Sequence, residues 1–372
     1  MIGVVTTSYP RFSGDPAGVF VQERVRALLQ AGHSVEVLAA GPGHAPSLDL
    51  SGKHEPSVIR IPARGIFYGG GAPEALESAH LLGRLQAWAQ AWQFTGAMLE
   101  RLVSSRDRWQ AVESHWLLPC GLLVCAALPN LAHRAHVHGG DLFLLARLPW
   151  GDSLARVFCR SRPQLVFASA GLRERFTALL GAAPESLGAR CLVEPASFDV
   201  ACFHRRVGER AGEERRRLRA AFGFDRPTVL AAGRLVPIKG FDVLLAALAS
   251  IPPVARPDLV LAGEGPERDR LTRQGATLGL RIHLVGMLRQ DQLADVMTAA
   301  DLFAHPCRVL ANGRSEGMPL VVREALACGL PVIASANGGL PELAGAPGLA
   351  LVTPDDPDAL AAAILAALAK IA

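Results

Sequence analysis

The sequence lacks the features that mark several large classes of protein. Its seven cysteines form no C-x-x-C pair and show no metal-ligand spacing, which is typical of reduced cytosolic thiols rather than a disulfide framework. The net charge is only +4, whereas a nucleic-acid-binding chain carries dense basic clusters. No solenoid-scale repeat or low-complexity tract is present. A hydrophobic fraction of 50% with 19% charged residues instead indicates a soluble globular protein.

Long membrane-type segments are also missing. The start, "MIGVVTTSYPRF", has no basic region followed by an apolar one, so it does not resemble a signal peptide. The longest apolar run, residues 116–132, is too short for a comfortable span and contains prolines, which favours a buried helix. The apolar tail 359–372 is shorter still. We therefore expect a cytoplasmic protein, with a peripheral contact at the inner face of the plasma membrane left open.

Short runs rich in Val, Ile and Leu alternate with helical patterns along the whole chain. Such runs, separated by helices, predict parallel sheets covered on both faces, as in doubly wound α/β proteins. The runs are "IGVVTT", "HSVEVLAA", "HRAHVHG", "QLVFASA", "TVLAAGR", "DLVLAGE", "IHLVG", "DLFAHP" and "LPVIAS".

The chain is long enough for two such domains. A charged stretch poor in strand formers, residues 203–227, separates one strand–helix series from the next. We expect an N-terminal Rossmann-like domain over 1–203, a second one over 204–355 and a terminal helix over 356–372. Ligands of doubly wound sheets bind beyond the carboxyl ends of the strands, so a site in the cleft between the domains is the expectation.

A basic pair follows one of the predicted strands. In "AAGRLVPIKGFDVLLAAL", Gly233 permits a tight turn, and the turn holds Arg234 and Lys239 near a helix start. Two cations beside backbone N–H groups suit a diphosphate. An ordinary solvated loop has the same pattern, and spacing alone leaves both interpretations open.

Two glutamates stand in the apolar stretch "EGMPLVVREALACGLPVIAS". Pro319 is typical of a first helical residue and Gly329 of a C-terminal stop, so we predict a helix over residues 319–328. Glu316 then precedes the helix and Glu324 lies inside it, roughly 7 to 8 Å along the axis. A ligand with two hydroxyl-rich ends and a charged middle, such as a nucleotide sugar, fits this spacing. A structural ion pair of Glu324 with an arginine is the alternative.

These motifs together resemble the retaining glycosyltransferases of family 4 (group 1), which have the GT-B fold. The resemblance rests on "GRLVPIKG", "LVLAGEGPERDRL", "HLVGML", "ADLFAHPC", "SEGMPLVVREALACGLPVIASANGGLPEL" and "GLALVTPDDPDAL" in the second domain. Weaker matches in the first are "GDPAGVFVQERVRALLQAGHSVEVLA", "ESHWLLPCGLL" and "HVHGGDL".

The resemblance implies roles for individual residues. Glu316 contacts the hydroxyls of the donor sugar and Glu324 the ribose, while Arg234 and Lys239 neutralise the leaving diphosphate. His138 faces the donor sugar near the reacting carbon. The backbone of Gly317, Met318, Pro319 and Leu320 lies along the sugar and diphosphate, and the loop from Gly14 to Gly18 lies close to phosphate and acceptor.

The other histidines and the acidic cluster are less informative. His115 ends a strand and either shapes the acceptor pocket or is structural, whereas His133 and His136 are expected to be strand or loop residues. "PDDPD", residues 354–358, is typical of an acidic helix start. We therefore expect no metal ion and no cofactor beyond the UDP- or GDP-sugar donor.

The predicted activity is transfer of a hexosyl group from a nucleoside-diphosphate sugar, with retention, to a lipid-linked or glycan acceptor in bacterial polysaccharide or glycoconjugate synthesis. Arginines among apolar residues in 142–163, with the tryptophans of "LLGRLQAWAQAWQF", indicate either a membrane-surface contact or core-facing amphipathic helices. A nucleotide-sugar 2-epimerase of the same fold and a non-catalytic nucleotide-sugar-binding scaffold are the alternatives. Nucleic acid is not an expected partner.

Overall fold

The chain divides into two compact units, Met1–Ser197 and Phe198–Ala372, each built on a parallel sheet. The structure of the protein, a computed structural model, describes residues 1–41, 55–63, 81–181, 188–204 and 211–370. Residues 205–210 of the charged stretch and the last two of the expected terminal segment lie outside this description.

The first unit contains seven parallel strands in the order β3-β2-β1-β4-β5-β6-β7. The strands are β1 (Ile2–Thr6), β2 (Val35–Gly41), β3 (Ser57–Pro62), β4 (Ala111–His115), β5 (Ala132–Val137), β6 (Gln164–Phe167) and β7 (Cys191–Val193). The helices are α1 (Val19–Gln30), α2 (Leu81–Ser105), α3 (Leu122–Ala127), α4 (Gly140–Arg147), α5 (Gly151–Ser161) and α6 (Ala170–Leu180), with a π-helical turn at Leu117–Gly121 and a 3₁₀ turn at Gly188–Arg190.

The second unit contains six parallel strands in the order β10-β9-β8-β11-β12-β13. They are β8 (Thr228–Ala232), β9 (Asp258–Ala262), β10 (Ile282–Gly286), β11 (Leu302–His305), β12 (Val332–Ser335) and β13 (Leu349–Val352). The helices are α7 (Val200–Phe203), α8 (Ala211–Phe222), α9 (Phe241–Ser250), α10 (Arg268–Thr277), α11 (Gln290–Ala299), α12 (Leu320–Ala327) and α13 (Pro357–Leu368), with 3₁₀ turns at Pro237–Lys239 and Leu340–Leu343.

The predicted doubly wound α/β class is confirmed in both units. The strands found by their apolar runs include the buried central ones, for example β8 and β9, in which every residue is buried. The apolar runs missed β3, β7 and β13, which lie at sheet edges and are half-exposed. No run marked the central, buried β4 either, because its sequence AVESH contains three polar residues, and only His115 at its end was placed on a strand. Edge strands need no continuous apolar run because one side of the strand is not covered by a neighbour.

Hydrophobic packing sets the limits of the second unit. Phe203 belongs to its core, and Phe198 packs against that core with its ring centroid 6.0 Å from that of Phe203. Helix α13 buries Leu360 and Ile364 in the same unit. The division therefore falls before Phe198 rather than after residue 203, and the terminal helix is part of the second unit instead of a separate segment.

Each sheet has one point at which the strand order reverses. In the first unit this point lies between β1 and β4, and in the second between β8 and β11. Connections leave these paired strands in opposite directions, which opens a crevice at their carboxyl ends where ligands of such sheets bind. Among the described helices, none is long and apolar enough to cross a membrane.

Candidate functional site

The switch point of the second unit holds a buried ion pair. Lys239 lies in the 3₁₀ turn after β8, and its Nζ is 3.1 Å from Oε1 of Glu316, with both side chains only 16% exposed. Burial raises the pKa of Glu316, but the opposing effects of Lys239 and His305 together outweigh it. The pKa of Glu316 therefore lies below its ordinary value. Two residues that the motifs predicted to share a ligand are therefore in contact. Arg234 is half-buried in the loop that leads from β8 to this turn, and Gly233 has a φ of 149°.

Close backbone packing holds the loop that carries Glu316. A Cβ atom added to Gly338 would lie 2.1 Å from the carbonyl oxygen of Glu316, and Gly338 has a φ of 59°. The N–H of Gly339 donates to the carbonyl of Gly317 over 2.6 Å. Only glycine permits this approach, so the "NGG" loop after β12 fixes the backbone of Glu316 and Gly317.

The helix after this loop begins one residue later than its sequence suggests. Pro319 is not the first helical residue but the N-cap, with a ψ of 117°, and α12 begins at Leu320 and ends at Ala327. No side chain caps this start, so its first N–H groups are open to an anion. Gly317 and Met318 precede the cap, and Gly329 has the positive φ of 73° expected of a C-terminal stop.

Glu324 is a buried carboxyl group on α12. It is 5% exposed, and burial raises its pKa to about 7, against a smaller opposing effect of Arg323. The Arg323 guanidinium lies over the Phe198 ring at 5.2 Å. Within the described residues no donor hydrogen-bonds the Glu324 carboxyl group. Since a buried polar group normally has a partner, this group is suited to a hydroxylated ligand.

His305 is a further residue of this region that the sequence patterns did not single out. It is the last residue of β11 and is fully buried, and burial together with Lys239 lowers its pKa to about 3. Among the described residues neither of its ring nitrogens has a hydrogen-bond partner. Its position at a strand end was visible in "DLFAHP", but nothing in that run distinguishes it from a structural histidine.

The first unit carries a column of parallel imidazole rings at its own switch point. His115 ends β4, and its ring stacks on that of His136 at 4.5 Å and on that of His138 at 5.3 Å, in both cases with planes 7° apart. His115 Nδ1 and His138 Nε2 are 3.0 Å apart, so one donates to the other. Burial lowers the pKa of His138 to about 3 and that of His115 well below its usual value, so both are neutral at physiological pH.

One of these three imidazoles, that of His136, contacts an ion pair formed by Arg24 and Glu113. His136 Nε2 is 3.1 Å from Oε2 of Glu113, which also accepts from Nε of Arg24 at 2.8 Å. Burial raises the pKa of Glu113, but hydrogen bonds from Arg24 and His136 outweigh it and the pKa is about 2. Neither Arg24 nor Glu113 was predicted, because single charged residues in apolar runs carry no pattern.

These side chains are poorly arranged for a metal ion. Ligand atoms of Glu113, His115 and His136 lie within 4.8 Å of one another. However, the rings of His115 and His136 are parallel, so their in-plane lone pairs cannot converge on one ion at the roughly 2.1 Å that coordination needs. Glu113 is in addition held by Arg24. That no metal is required stays a prediction.

The remaining predicted residues of the first unit fall on the loop after β1 and on strand β5. Gly14 and Gly18 lie after β1 with φ of 84° and 75°, and a side chain on Gly18 would meet the carbonyl of Ser8 at 2.3 Å. His133 and His136 both belong to β5, and His133 lies 2.8 Å from the Ser114 hydroxyl.

Asp141 fixes the turn that follows His138. Its carboxylate accepts from the N–H groups of Leu117 at 2.6 Å and Gly139 at 3.0 Å, although burial raises its pKa. The acid therefore ties the "HGGD" turn to the π-helical turn after β4. Its role was not predicted, since the sequence analysis treated only the histidine of this motif.

Comparison with known proteins agrees with this arrangement. Residues 226–370 match the family model described as "Glycosyl transferases group 1". A GDP-mannose-dependent alpha-(1-6)-phosphatidylinositol monomannoside mannosyltransferase of Mycolicibacterium smegmatis is 34% identical over 72% of this chain and 69% of its own length. A putative teichuronic acid biosynthesis glycosyltransferase of Bacillus subtilis, TuaC, is 28% identical over 97% and 87% of the two chains.

A solved structure of similar fold is that of Anabaena HepE in complex with UDP-glucose. It superposes with a TM-score of 0.71 at 21% identity, and the match covers 100% of this chain and 90% of that one. At this identity the likeness concerns the fold alone.

Proposed function

This chain belongs to the glycosyl transferases group 1 (family 4), and from that premise we propose that it moves a hexose from a nucleoside-diphosphate sugar, with retention, to a lipid-linked or glycan acceptor. That it is a glycosyltransferase of the GT-B fold with a nucleotide-sugar donor follows from its relatives and structural neighbours. The donor, the acceptor and the stereochemistry are the proposal.

The observation that carries the proposal is the group of residues at the second switch point. Lys239 and Glu316 form a buried pair beside the uncapped start of α12, and Glu324 on the same helix is buried without a hydrogen-bond donor among the described residues. In the proposed complex the diphosphate takes Lys239, Arg234 and the first N–H groups of α12. Glu316 is then free to accept from sugar hydroxyls, and Glu324 accepts from the ribose.

The chemical step needs charge stabilisation more than a covalent nucleophile. The bond between the anomeric carbon and the diphosphate oxygen breaks, and the acceptor oxygen bonds to that carbon on the same face. The acceptor proton passes to the leaving phosphate oxygen. Lys239, Arg234 and the helix start stabilise the negative charge that develops there, which is usually the largest electrostatic contribution. That His138 contacts the transferred sugar stays a prediction.

The donor to test first is GDP-mannose, because it is named for the Mycolicibacterium smegmatis relative, with UDP-glucose, bound by the HepE structure, as the second choice. The relatives named above act on a phosphatidylinositol mannoside or in teichuronic acid synthesis, which supports an acceptor that is a glycolipid or a growing glycan.

A donor screen tests the proposal. Nucleotide release from UDP-, GDP- and ADP-sugars is measured with wild type, with Glu316→Ala, and with Lys370→Ala as a control at an exposed lysine. We expect release with one donor class, lost in Glu316→Ala and kept in the control. Release of a modified free sugar without acceptor indicates an epimerase, and binding without turnover of any donor indicates a scaffold. For an active donor, NMR of the product linkage tests retention.

A further inference from the structure

Helix α2 of the first unit carries apolar side chains on the face turned to solvent. Among the side chains of this helix that the structure describes, five large apolar ones are exposed: Leu85 (58%), Trp88 (51%), Trp92 (81%), Leu99 (38%) and Val103 (57%). Their spacing of three, four, seven and four positions keeps them on one side of a helix. We name these five residues the exposed apolar face.

The opposite side of the same helix already supplies its packing. Phe94, Met98 and Leu102 are fully buried in the core of the first unit. The exposed apolar face is therefore additional to what the fold needs. Two small residues are also exposed: Ala89 lies between the two tryptophans, and Gly96 lies between Trp92 and Leu99. No charged residue therefore interrupts the face. A continuous apolar surface of this kind marks an interaction site.

The chemistry of the face suits a lipid surface. Indole rings combine apolar area with an N–H donor, and tryptophan is enriched at the boundary between lipid and water. From Leu85 to Val103 the helix extends about 27 Å at 1.5 Å per residue, long enough to lie along a bilayer rather than to insert one anchor. Across residues 85–105 the sequence has one acidic side chain, Glu100.

Positive charge lies in the same helical layer. Helix α3 packs against both α2 and α5, so it lies between them on this side of the sheet. Ala155 and Phe158 of α5 are buried, while Arg156 and Arg160 are exposed. The exposed part of α5 therefore contributes positive charge. Exposed arginines in the same helical layer as an apolar face favour anionic lipids.

The tryptophans lie towards the reactive edge of the first unit. In a parallel sheet each connecting helix begins near the carboxyl ends of the strands, and Trp88 and Trp92 are in the first half of α2. His138 follows β5 at that edge as well.

We propose that the exposed apolar face of α2 docks the protein on an anionic lipid surface, with Arg156 and Arg160 contacting headgroups. The choice of a bilayer as the occupant rests on the proposed function, because a lipid-linked acceptor is presented only at such a surface. Docking places the carboxyl edge of the first sheet next to that acceptor.

Vesicle flotation tests the docking independently of turnover. The probes are vesicles of phosphatidylcholine alone and of phosphatidylcholine with 30% phosphatidylglycerol. Compared with wild type, Trp88→Gln/Trp92→Gln is expected to lose binding to both by about tenfold or more, and Arg156→Gln/Arg160→Gln to lose mainly the anionic preference. Val254→Gln, at a 93% exposed valine of the second unit, is the matched control and keeps binding.

Parallel measurements separate the possible failures. Donor binding and the thermal unfolding midpoint of the tryptophan variant are expected to equal those of wild type, which shows that a loss of flotation is not a loss of fold. Wild type that does not float with either vesicle, or a tryptophan variant that floats equally well, overturns the docking. A wild-type dimer that becomes monomeric in the tryptophan variant, by light scattering, assigns the face to a second copy and also overturns it. A chain that floats but binds no nucleotide sugar contradicts the proposed function and not the docking.

Discussion

His115 and His305 hold corresponding positions in the two units but differ in their surroundings. Each is the last residue of the strand that neighbours its unit's first strand across the switch point. His115 is hydrogen-bonded to His138 and stacks on His136, whereas His305 has no hydrogen-bond partner among the described residues. Buried polar groups without partners cost about 1–3 kcal/mol each. At the first switch point most of these side chains are therefore hydrogen-bonded to one another, although Nε2 of His115 is buried without a partner among the described residues, whereas at the second both ring nitrogens of His305 lack one.

The charged side chains at the two switch points also differ. In the first unit Arg24 and Glu113 form an ion pair, and burial keeps His115 and His138 neutral at physiological pH. In the second unit Lys239 and Glu316 form an ion pair where a ligand is proposed to bind, and the pKa of Glu324, about 7, lies close to physiological pH. We infer that the first unit presents a fixed, neutral surface, while the second contains groups that exchange internal contacts for ligand contacts.

The largest expected effect is a difference in acid stability between the units. His115, His133 and His138 have lowered folded pKa values, to about 4 for His133 and about 3 for His138, because of burial. The unfolded pKa is about 6.5, so this stability is present above pH 6.5 and is lost as the pH falls, by about 2 kcal/mol at pH 5 for each of His133 and His138. In the second unit the corresponding group is His305.

Hydrogen exchange of the intact chain at pH 7 and pH 5, corrected for intrinsic rates, measures this difference. The first unit should lose more protection than the second. It loses about 4 kcal/mol through His133 and His138, while in the second the loss of about 2 kcal/mol through His305 is offset by about 2 kcal/mol gained as Glu324 takes up a proton. Equal losses of protection in both units would mean that burial does not keep His133 and His138 neutral.

The next effect concerns Glu324, whose shift has the opposite sign. Its folded pKa of about 7 lies above the unfolded value of about 4.3, so the stabilising proton is present below the unfolded pKa and is lost as the pH rises towards 7. Relative to Glu324→Gln, wild type should lose about 2 kcal/mol of unfolding free energy between pH 5 and pH 8. Denaturant unfolding of both proteins at the two pH values measures it, and parallel curves contradict the buried, unpartnered carboxyl group.

The smallest effect tests the comparison of the two histidines directly. His115→Leu leaves His138 Nε2 without its partner, whereas His305→Leu removes nitrogens that have no partner among the described residues. We expect His115→Leu to be the more destabilising substitution by about 1 kcal/mol or more. Urea unfolding at pH 7.5 gives the free energy of unfolding of both variants. The reverse order would contradict the view that the hydrogen bond between His115 and His138 is the difference between the two histidines.

Sequence reasoning found the parts of the molecule that follow a repeating or spaced pattern. The parallel strands, the turn with Lys239 and the two glutamates all have such patterns, and in the structure Lys239 and Glu316 form an ion pair. It could not find Arg24, Glu113 or His305, because their importance comes from pairing or burial across strands distant in sequence. The start of α12 was misplaced at Pro319, since proline is compatible with both the N-cap and the first helical position.

Equilibrium binding of a nucleoside diphosphate tests the central claim most directly. GDP and UDP are titrated into wild type, Lys239→Ala and the control Lys370→Ala by calorimetry. If the switch point of the second unit holds the diphosphate, one nucleotide binds wild type and the control alike, and Lys239→Ala weakens it by about tenfold or more, as loss of a charge-assisted contact requires. Equal affinity of Lys239→Ala and wild type would contradict the assignment of this ion pair to the donor.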